Sequence, residues 1–257
     1  MFSRFPVRYL IPNTITAATI VLACVAIVLG HDGLHELAAW LIVWCVLLDR
    51  TDGFAARLSN AYSEFGGQLD SLADFLAFCV APGLLVYFLL ADDLRYRRLF
   101  DRPVYKEILI VSTLVYVVSG AARLARFNVT SAQVGPDRFE GLSSTFAGFI
   151  VATFLLSGER HSWPPDVMAT LLLVLALCAV FMISNLSLPK SLTSHQRRLF
   201  PLLVLVHVLA FGLGILRLFP EVLLILALAY PILGFTIGAR LNRGMKTAVA
   251  RAESRSQ

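Results

Sequence analysis

Charge is what this chain has least of. Of its 257 residues only 15% are Asp, Glu, Lys or Arg, while 58% belong to the apolar set. The mean hydropathy is +0.75. A soluble domain is about a quarter charged, so the composition argues against a soluble enzyme and excludes a disordered or collagen-like chain. Cysteine is scarce as well. Cys24, Cys45, Cys79 and Cys178 all sit inside apolar runs without C-x-x-C spacing, which implies small core side chains and neither a disulfide nor a zinc site. The five histidines lack metal-ligand spacing; His31, His35 and His161 fall in exterior loops, His195 in a cytoplasmic one, and His207 reads as a helix-packing residue. His31-Asp32-Gly33-Leu34-His35, and no small-residue cleavage site, follows the first apolar run, so a cleavable signal peptide is not expected. No internal repeat is evident.

What the chain has instead is apolar runs of membrane-spanning length, about 20 residues each. They cover roughly 14–30, 34–57, 68–90, 107–124, 143–158, 167–187, 199–217 and 221–239, the fifth being short. The predicted fold class is therefore all-α, a polytopic integral membrane protein. Eight spans put both termini on one side. If that side is cytoplasmic it holds 15 of the 22 basic residues, as the positive-inside rule requires; this also accounts for the net charge of +5 without nucleic acid. The exception is Ala91–Lys106, whose arginines fall on the other side, partly offset by Asp92, Asp93 and Asp101. It is expected to lie along the interface, as is a short amphipathic helix over Met1–Pro12. The tail from Arg240 is basic and polar, a solvated cytoplasmic end. The phenylalanines and Trp40, Trp44 and Trp163 suit lipid-facing surfaces and interface belts.

Most of the 17 acidic residues lie in loops or at span ends. Leu48–Phe75 differs. Asp49 and Asp52 close the second span, and Asp70 and Asp74 open the third. Spacings of three and four residues put each pair on one helix face, and the intervening turn brings the pairs together. Four converging carboxylates repel unless a cation lies between them. Mg²⁺ and Mn²⁺ take carboxylate oxygens, and two ions about 4 Å apart make a clamp for phosphoryl chemistry. Any one of these aspartates is more simply a cap or an arginine partner. Four at this spacing near a bilayer, where ionisable groups are costly, point to function. Gly53, Gly66 and Gly67 leave room for a diphosphate, and Arg57 can face one bidentately.

The run Asp49-x-x-Asp52-Gly53-x-x-Ala56-Arg57, eight residues, Gly66, three residues, Asp70, three residues, Asp74 resembles the full signature of the CDP-alcohol phosphotransferase family. Phe65–Asp74 with Val80-Ala81-Pro82, Gly120–Asn128, and Ile11–Thr16 resemble its phosphatidylserine synthase branch, over residues from about 11 to Lys190. One departure stands out: that branch has Gly-Leu-Pro where Gly141-Leu142 is followed here by Ser143-Ser144. The resemblance implies a six-helix catalytic core over 1–190, an additional transmembrane pair over 191–239, a basic cytoplasmic tail over 240–257, and a homodimer in the bacterial inner membrane with its active site at the cytoplasmic face.

It further implies phosphatidyl transfer from CDP-diacylglycerol to the hydroxyl of L-serine, with phosphatidylserine and CMP as products. Two divalent cations, Mg²⁺ or Mn²⁺, would be held by Asp49, Asp52, Asp70 and Asp74, with Asp74 the general base. Asn13, Thr16, Gly53, Ala56, Arg57, Ser63 and Gly66 would bind the CDP-lipid, and Arg123, Arg126 and Asn128 the acceptor. The two arginines are equally well read as positive-inside anchors. Two other readings stand beside this one. A sister enzyme using glycerol phosphate or inositol phosphate would need a denser basic pocket, which Lys190, Arg197 and Arg198 could complete. A cation transporter would place its carboxylates nearer the midplane, on broken helices.

Overall fold

The computed structural model describes residues 10–58, 63–130, 138–185, 187–189, 200–229 and 231–232. The chain is almost entirely helical: α1 (Leu10–His31), α2 (His35–Leu58), α3 (Glu64–Phe75) running through a π-turn (Leu76–Val80) into α4 (Ala81–Asp92), α5 (Leu94–Phe100), α6 (Pro103–Thr130), α7 (Ser144–Arg160), α8 (Pro165–Met168), α9 (Leu171–Ile183) and α10 (Phe200–Ile215). A further apolar helix, α11, covers Pro220–Ala229. Each apolar run read from the sequence falls mainly on helix as far as the described residues reach, the sixth being divided between α8 and α9 and ending as helix at Ile183. Among the described residues, four stretches are long and apolar enough to cross a membrane, Asn13–His31, Glu64–Asp92, Pro103–Thr130 and Pro165–Ile183. The expected helix at Met1–Pro12 and the tail from Arg240 lie outside the described residues, apart from the start of α1.

The sequence reading contained no strand. The structure has two short ones, β1 (Arg138–Glu140) and β2 (Ser187–Pro189), paired antiparallel with Phe139 opposite Leu188. They tie the α6–α7 connection to the segment after α9. Gly141 follows β1 with φ +73°, and a Cβ there would stand 2.8 Å from the Met182 and Ser184 carbonyls. Only glycine meets both the left-handed backbone and that approach.

The short fifth span becomes the central helix. α7 is buried along most of its length, and small residues permit it. At Gly148 a Cβ would lie 2.9 Å from the Phe78 Cα, so α7 seats directly against the π-turn, a small-residue contact common between membrane helices. Its interior hydroxyls turn back on their own helix, Thr153 donating to the Phe149 carbonyl at 2.7 Å and Ser157 to that of Thr153 at 2.8 Å. The π-turn has an identifiable cause. Pro82 has no N–H for the Phe78 carbonyl four residues back, and the buried Tyr116 hydroxyl donates to that oxygen at 2.7 Å.

At one end of the bundle the segment after α4 is folded onto the core. Asp93 caps α5 by accepting from the Arg95 N–H at 2.8 Å. Tyr96 and Phe100 are buried, because their spacing puts both rings on the face of α5 turned to the core. Trp40 is likewise buried rather than in an interface belt, since α2 packs inside the bundle. Cys45, Cys79 and Cys178 are buried and Cys24 exposed, all as free thiols.

Candidate active site

At the opposite end, α2 finishes where α3 begins. Ser63 N-caps α3, accepting from the Gly66 N–H at 3.0 Å. This fixes the first turn, so Asp70 and Asp74 follow one helical turn apart. Asp49 on α2 meets them: one oxygen from each of Asp49, Asp70 and Asp74 lies within 4.8 Å of the others, and all three residues are half-buried. Asp49 lies beside Asp74 and beside Thr145 at the start of α7. Two unit charges at that separation repel by about 3 kcal/mol at an effective dielectric of about 20. Among the described residues, every ion pair lies at the other end of the bundle. A hard divalent cation fits this donor set, since oxygen is the only ligand atom on offer and three carboxylates outnumber the one buried guanidinium near them. Asp52 and Gly53 lie one turn past Asp49 in α2, and Ala56 and Arg57 two turns past it; their side chains lie outside the described residues.

The two arginines that the sequence could not separate have different partners. Arg123 is buried, at 7% exposure, near the carboxylates of Asp74 and Asp49. Its Nη1 donates to the Ser144 hydroxyl at 3.3 Å, and the Phe127 ring lies 5.6 Å from its Cζ. Arg126 is occupied by the end of α9. It donates to the carbonyls of Met182, Ile183 and Ser184 at 3.3, 3.0 and 3.3 Å and to Asn185 Oδ1 at 2.9 Å, satisfying carbonyls that a helix C-terminus leaves without partners. Asn128 accepts from the Ser71 hydroxyl at 3.2 Å, joining α6 to α3.

On the other flank, Asn13 of α1 lies against the first turn of α3: a Cβ on Gly66 would stand 3.0 Å from both Asn13 Oδ1 and Ser63 Oγ. One at Gly67 would meet nothing within 4 Å, so that side of the turn is open. Thr16 is buried one turn further along α1.

The structure thus brings Asp49, Asp70, Asp74 and Arg123 together, with Asn13, Ser63 and Gly66 beside them. It adds Ser144, which the sequence reading met only within a departure from the family pattern, and Thr145, which it passed over. The available signal was Ser143-Ser144, which follows Gly141-Leu142 where the family branch has proline next.

A family profile described as CDP-alcohol phosphatidyltransferase matches residues 9–183. The CDP-diacylglycerol–serine O-phosphatidyltransferase of Helicobacter pylori (strain 26695) is 34% identical over 183 residues, 71% of this chain and 73% of that protein. The archaetidylserine synthase of Methanothermobacter thermautotrophicus is 31% identical over 167 residues, 64% of this chain and 63% of that protein. Among solved structures, Mycobacterium tuberculosis phosphatidylinositol phosphate synthase in complex with manganese and citrate shares the fold, with a TM-score of 0.51 and 21% identity over 67% of this chain and 78% of that one. With its aspartate signature, its converging carboxylates and a match covering most of its length, the chain belongs to the CDP-alcohol phosphatidyltransferase family.

Proposed function

We propose that the protein transfers the phosphatidyl group of CDP-diacylglycerol to the hydroxyl of L-serine, releasing CMP. The observation that carries this reading is the carboxylate cluster of Asp49, Asp70 and Asp74 with the buried guanidinium of Arg123 beside it. The named function of the 34% identical relative supports serine as the acceptor. Arg126 is spent on the end of α9. Among the described residues this leaves one buried guanidinium for the acceptor, which suits a carboxylate better than a phosphomonoester dianion.

In this reading Asp49, Asp52, Asp70 and Asp74 hold two divalent cations, Mg²⁺ or Mn²⁺. When bound, these ions neutralise the diphosphate and stabilise CMP as the leaving group. The open side of Gly67, with Gly66, Ser63, Asn13 and Thr16, receives the cytidine diphosphate; Gly53, Ala56 and Arg57 line the same pocket from α2. Arg123 pairs with the serine carboxylate, and Asn128, anchored by Ser71, borders the acceptor. As the serine oxygen attacks the phosphatidyl phosphorus, Asp74 takes the hydroxyl proton. The new P–O bond forms as the bond to CMP breaks, and its electron pair leaves with the CMP phosphate oxygen. A positioned carboxylate contributes about 10²–10⁴-fold in such a step.

The proposal extends to the whole chain. Residues 1–190 are the catalytic domain, 191–239 an appended helix pair and 240–257 a cytoplasmic tail; the protein is a homodimer of the bacterial cell membrane, with its site and both termini at the cytoplasmic face. The test is CMP release by purified protein with CDP-diacylglycerol, Mg²⁺ or Mn²⁺, and L-serine, glycerol 3-phosphate or inositol phosphate in turn. Release with serine alone is the expected result. Release with a phosphorylated acceptor and none with serine overturns the reading.

A further inference from the structure

Three consecutive hydroxyl residues begin α7, and each has a different partner. Ser143 caps the helix, accepting from the Phe146 N–H at 3.3 Å. Thr145 reaches Asp49. Ser144, between them, is fully buried at 0% exposure and accepts from Arg123 Nη1 at 3.3 Å. A serine at a helix start needs no such burial, and an apolar residue at this position would offer Arg123 no hydroxyl at all.

Guanidinium groups have five N–H donors in a rigid plane. For Arg123, the Ser144 oxygen holds one of them and Phe127 covers a flank of the group, while Asp74 and Asp49 are its near charges. With the plane fixed in this way, the remaining donors have a set direction, which two-point recognition of a carboxylate requires. We propose that Ser144 is a positioning residue for acceptor specificity, aiming Arg123 at the carboxylate of the amino-acid acceptor. This rests on the serine reading above.

The test compares wild type with Ser144→Ala, Ser144→Thr, Arg123→Lys and the Ser144→Ala/Arg123→Lys double variant. CMP release is followed against L-serine and against serinol (2-amino-1,3-propanediol), which keeps the hydroxyl and amine but lacks the carboxylate. Ser144→Ala is expected to raise the KM for L-serine about tenfold, the size of one hydrogen bond to a charged group, with the KM for CDP-diacylglycerol unchanged. Ser144→Thr should restore most of the loss. With serinol, Ser144→Ala should perform no worse than wild type. In the Arg123→Lys background, Ser144→Ala should add less than twofold, since the effect runs through the guanidinium. Thermal unfolding in detergent accompanies each variant, and the Thr and Lys variants keep the question open to refutation should the Ala protein fail to fold.

An unchanged serine KM in Ser144→Ala overturns the positioning role while leaving the serine reading intact. So does an equal penalty with serinol. Wild-type protein that releases no CMP with serine overturns the function reading, and this proposal with it.

Discussion

At one end of the bundle Asp93 and Glu159 share the guanidinium of Arg95, each at 2.7 Å, with the Tyr96 hydroxyl donating to Glu159 at 3.1 Å and His35 Nδ1 3.8 Å from Asp93. At the other, Asp49, Asp70 and Asp74 face one another within 4.8 Å. The same helices serve both ends: α2 begins at His35 and carries Asp49, and the α3–α4 helix runs from Asp70 to Asp92. The first cluster has the partners its charges call for, and it locks α4, α5 and α7 together. The second has no ion pair among the described residues, though the buried guanidinium of Arg123 is nearby. The difference separates a carboxylate used for structure from one kept available for a ligand, more sharply than burial does.

Neutralising carboxylates one at a time should break the two ends differently. The largest effect is expected from Asp70→Asn. CMP release should fall at least about a thousandfold, the several kcal/mol that a bound metal's charge stabilisation supplies, while the protein inserts and unfolds much like wild type. Near-wild-type turnover would refute the two-metal site.

Within the same cluster, Asp74→Asn and Asp49→Asn should part company. The first keeps the shape but cannot take the serine proton, so it should retain CDP-diacylglycerol binding and lose about 10²–10⁴-fold in turnover. The second should weaken metal-dependent donor binding itself. Equal loss of donor affinity in both would make Asp74 chiefly a ligand.

At the structural end the order of effects should reverse. Glu159→Gln removes a charge that Arg95 and Tyr96 both use, and should lower the unfolding temperature by an amount corresponding to about 1–3 kcal/mol, with serine KM and turnover unchanged. A loss of turnover without a loss of stability would show that the two ends are coupled.

The smallest effect is one of pH. The Arg95 guanidinium and its N–H hold the Asp93 carboxyl below its ordinary range. A depressed carboxyl stabilises the fold above its ordinary value of about 4, and the contribution is lost as pH falls through the depressed one. Burial, helped by Glu159, pushes the Tyr96 hydroxyl up to about 12, so its contribution stands below its ordinary value of about 10 and is lost as pH rises towards 12. The stability gap between wild type and Asp93→Asn should therefore be constant near neutrality and close below about pH 4. A gap that widened on acidification would contradict the pairing.

The catalytic end was far more legible in sequence than the structural end. Asp70 and Asp74 are four residues apart in one helix, so their common face follows from local geometry, and the turn from α2 does the rest. Arg123 and Arg126 are also one turn apart, yet one enters the site and the other caps α9. Their separation depends on where a distant helix ends, which spacing within α6 cannot show. Ser144 was in view only as part of a departure from the family pattern and Thr145 not at all; their partners belong to α6 and α2. The same holds for Arg95, counted as a violation of charge sidedness, whose partner Glu159 is 64 residues away. The appended helices read simply as further spans, but Leu223 and Ala227 join the main core and Trp44 Nε1 donates to the Gly214 carbonyl at 3.0 Å, contacts that no periodicity announces.

The π-turn at Leu76–Val80 bears on how one long helix can serve two surroundings. An extra residue in a helical turn advances the angular phase of everything after it by about 100°. The carboxylates of α3 and the apolar residues Leu85, Val86, Leu89 and Leu90 of α4 are thus set at independent azimuths although they share one rod. Removing a single residue between Leu76 and Val80 would leave every side chain chemically intact and swing the metal-binding face away from Asp49, disabling the site by rotation alone.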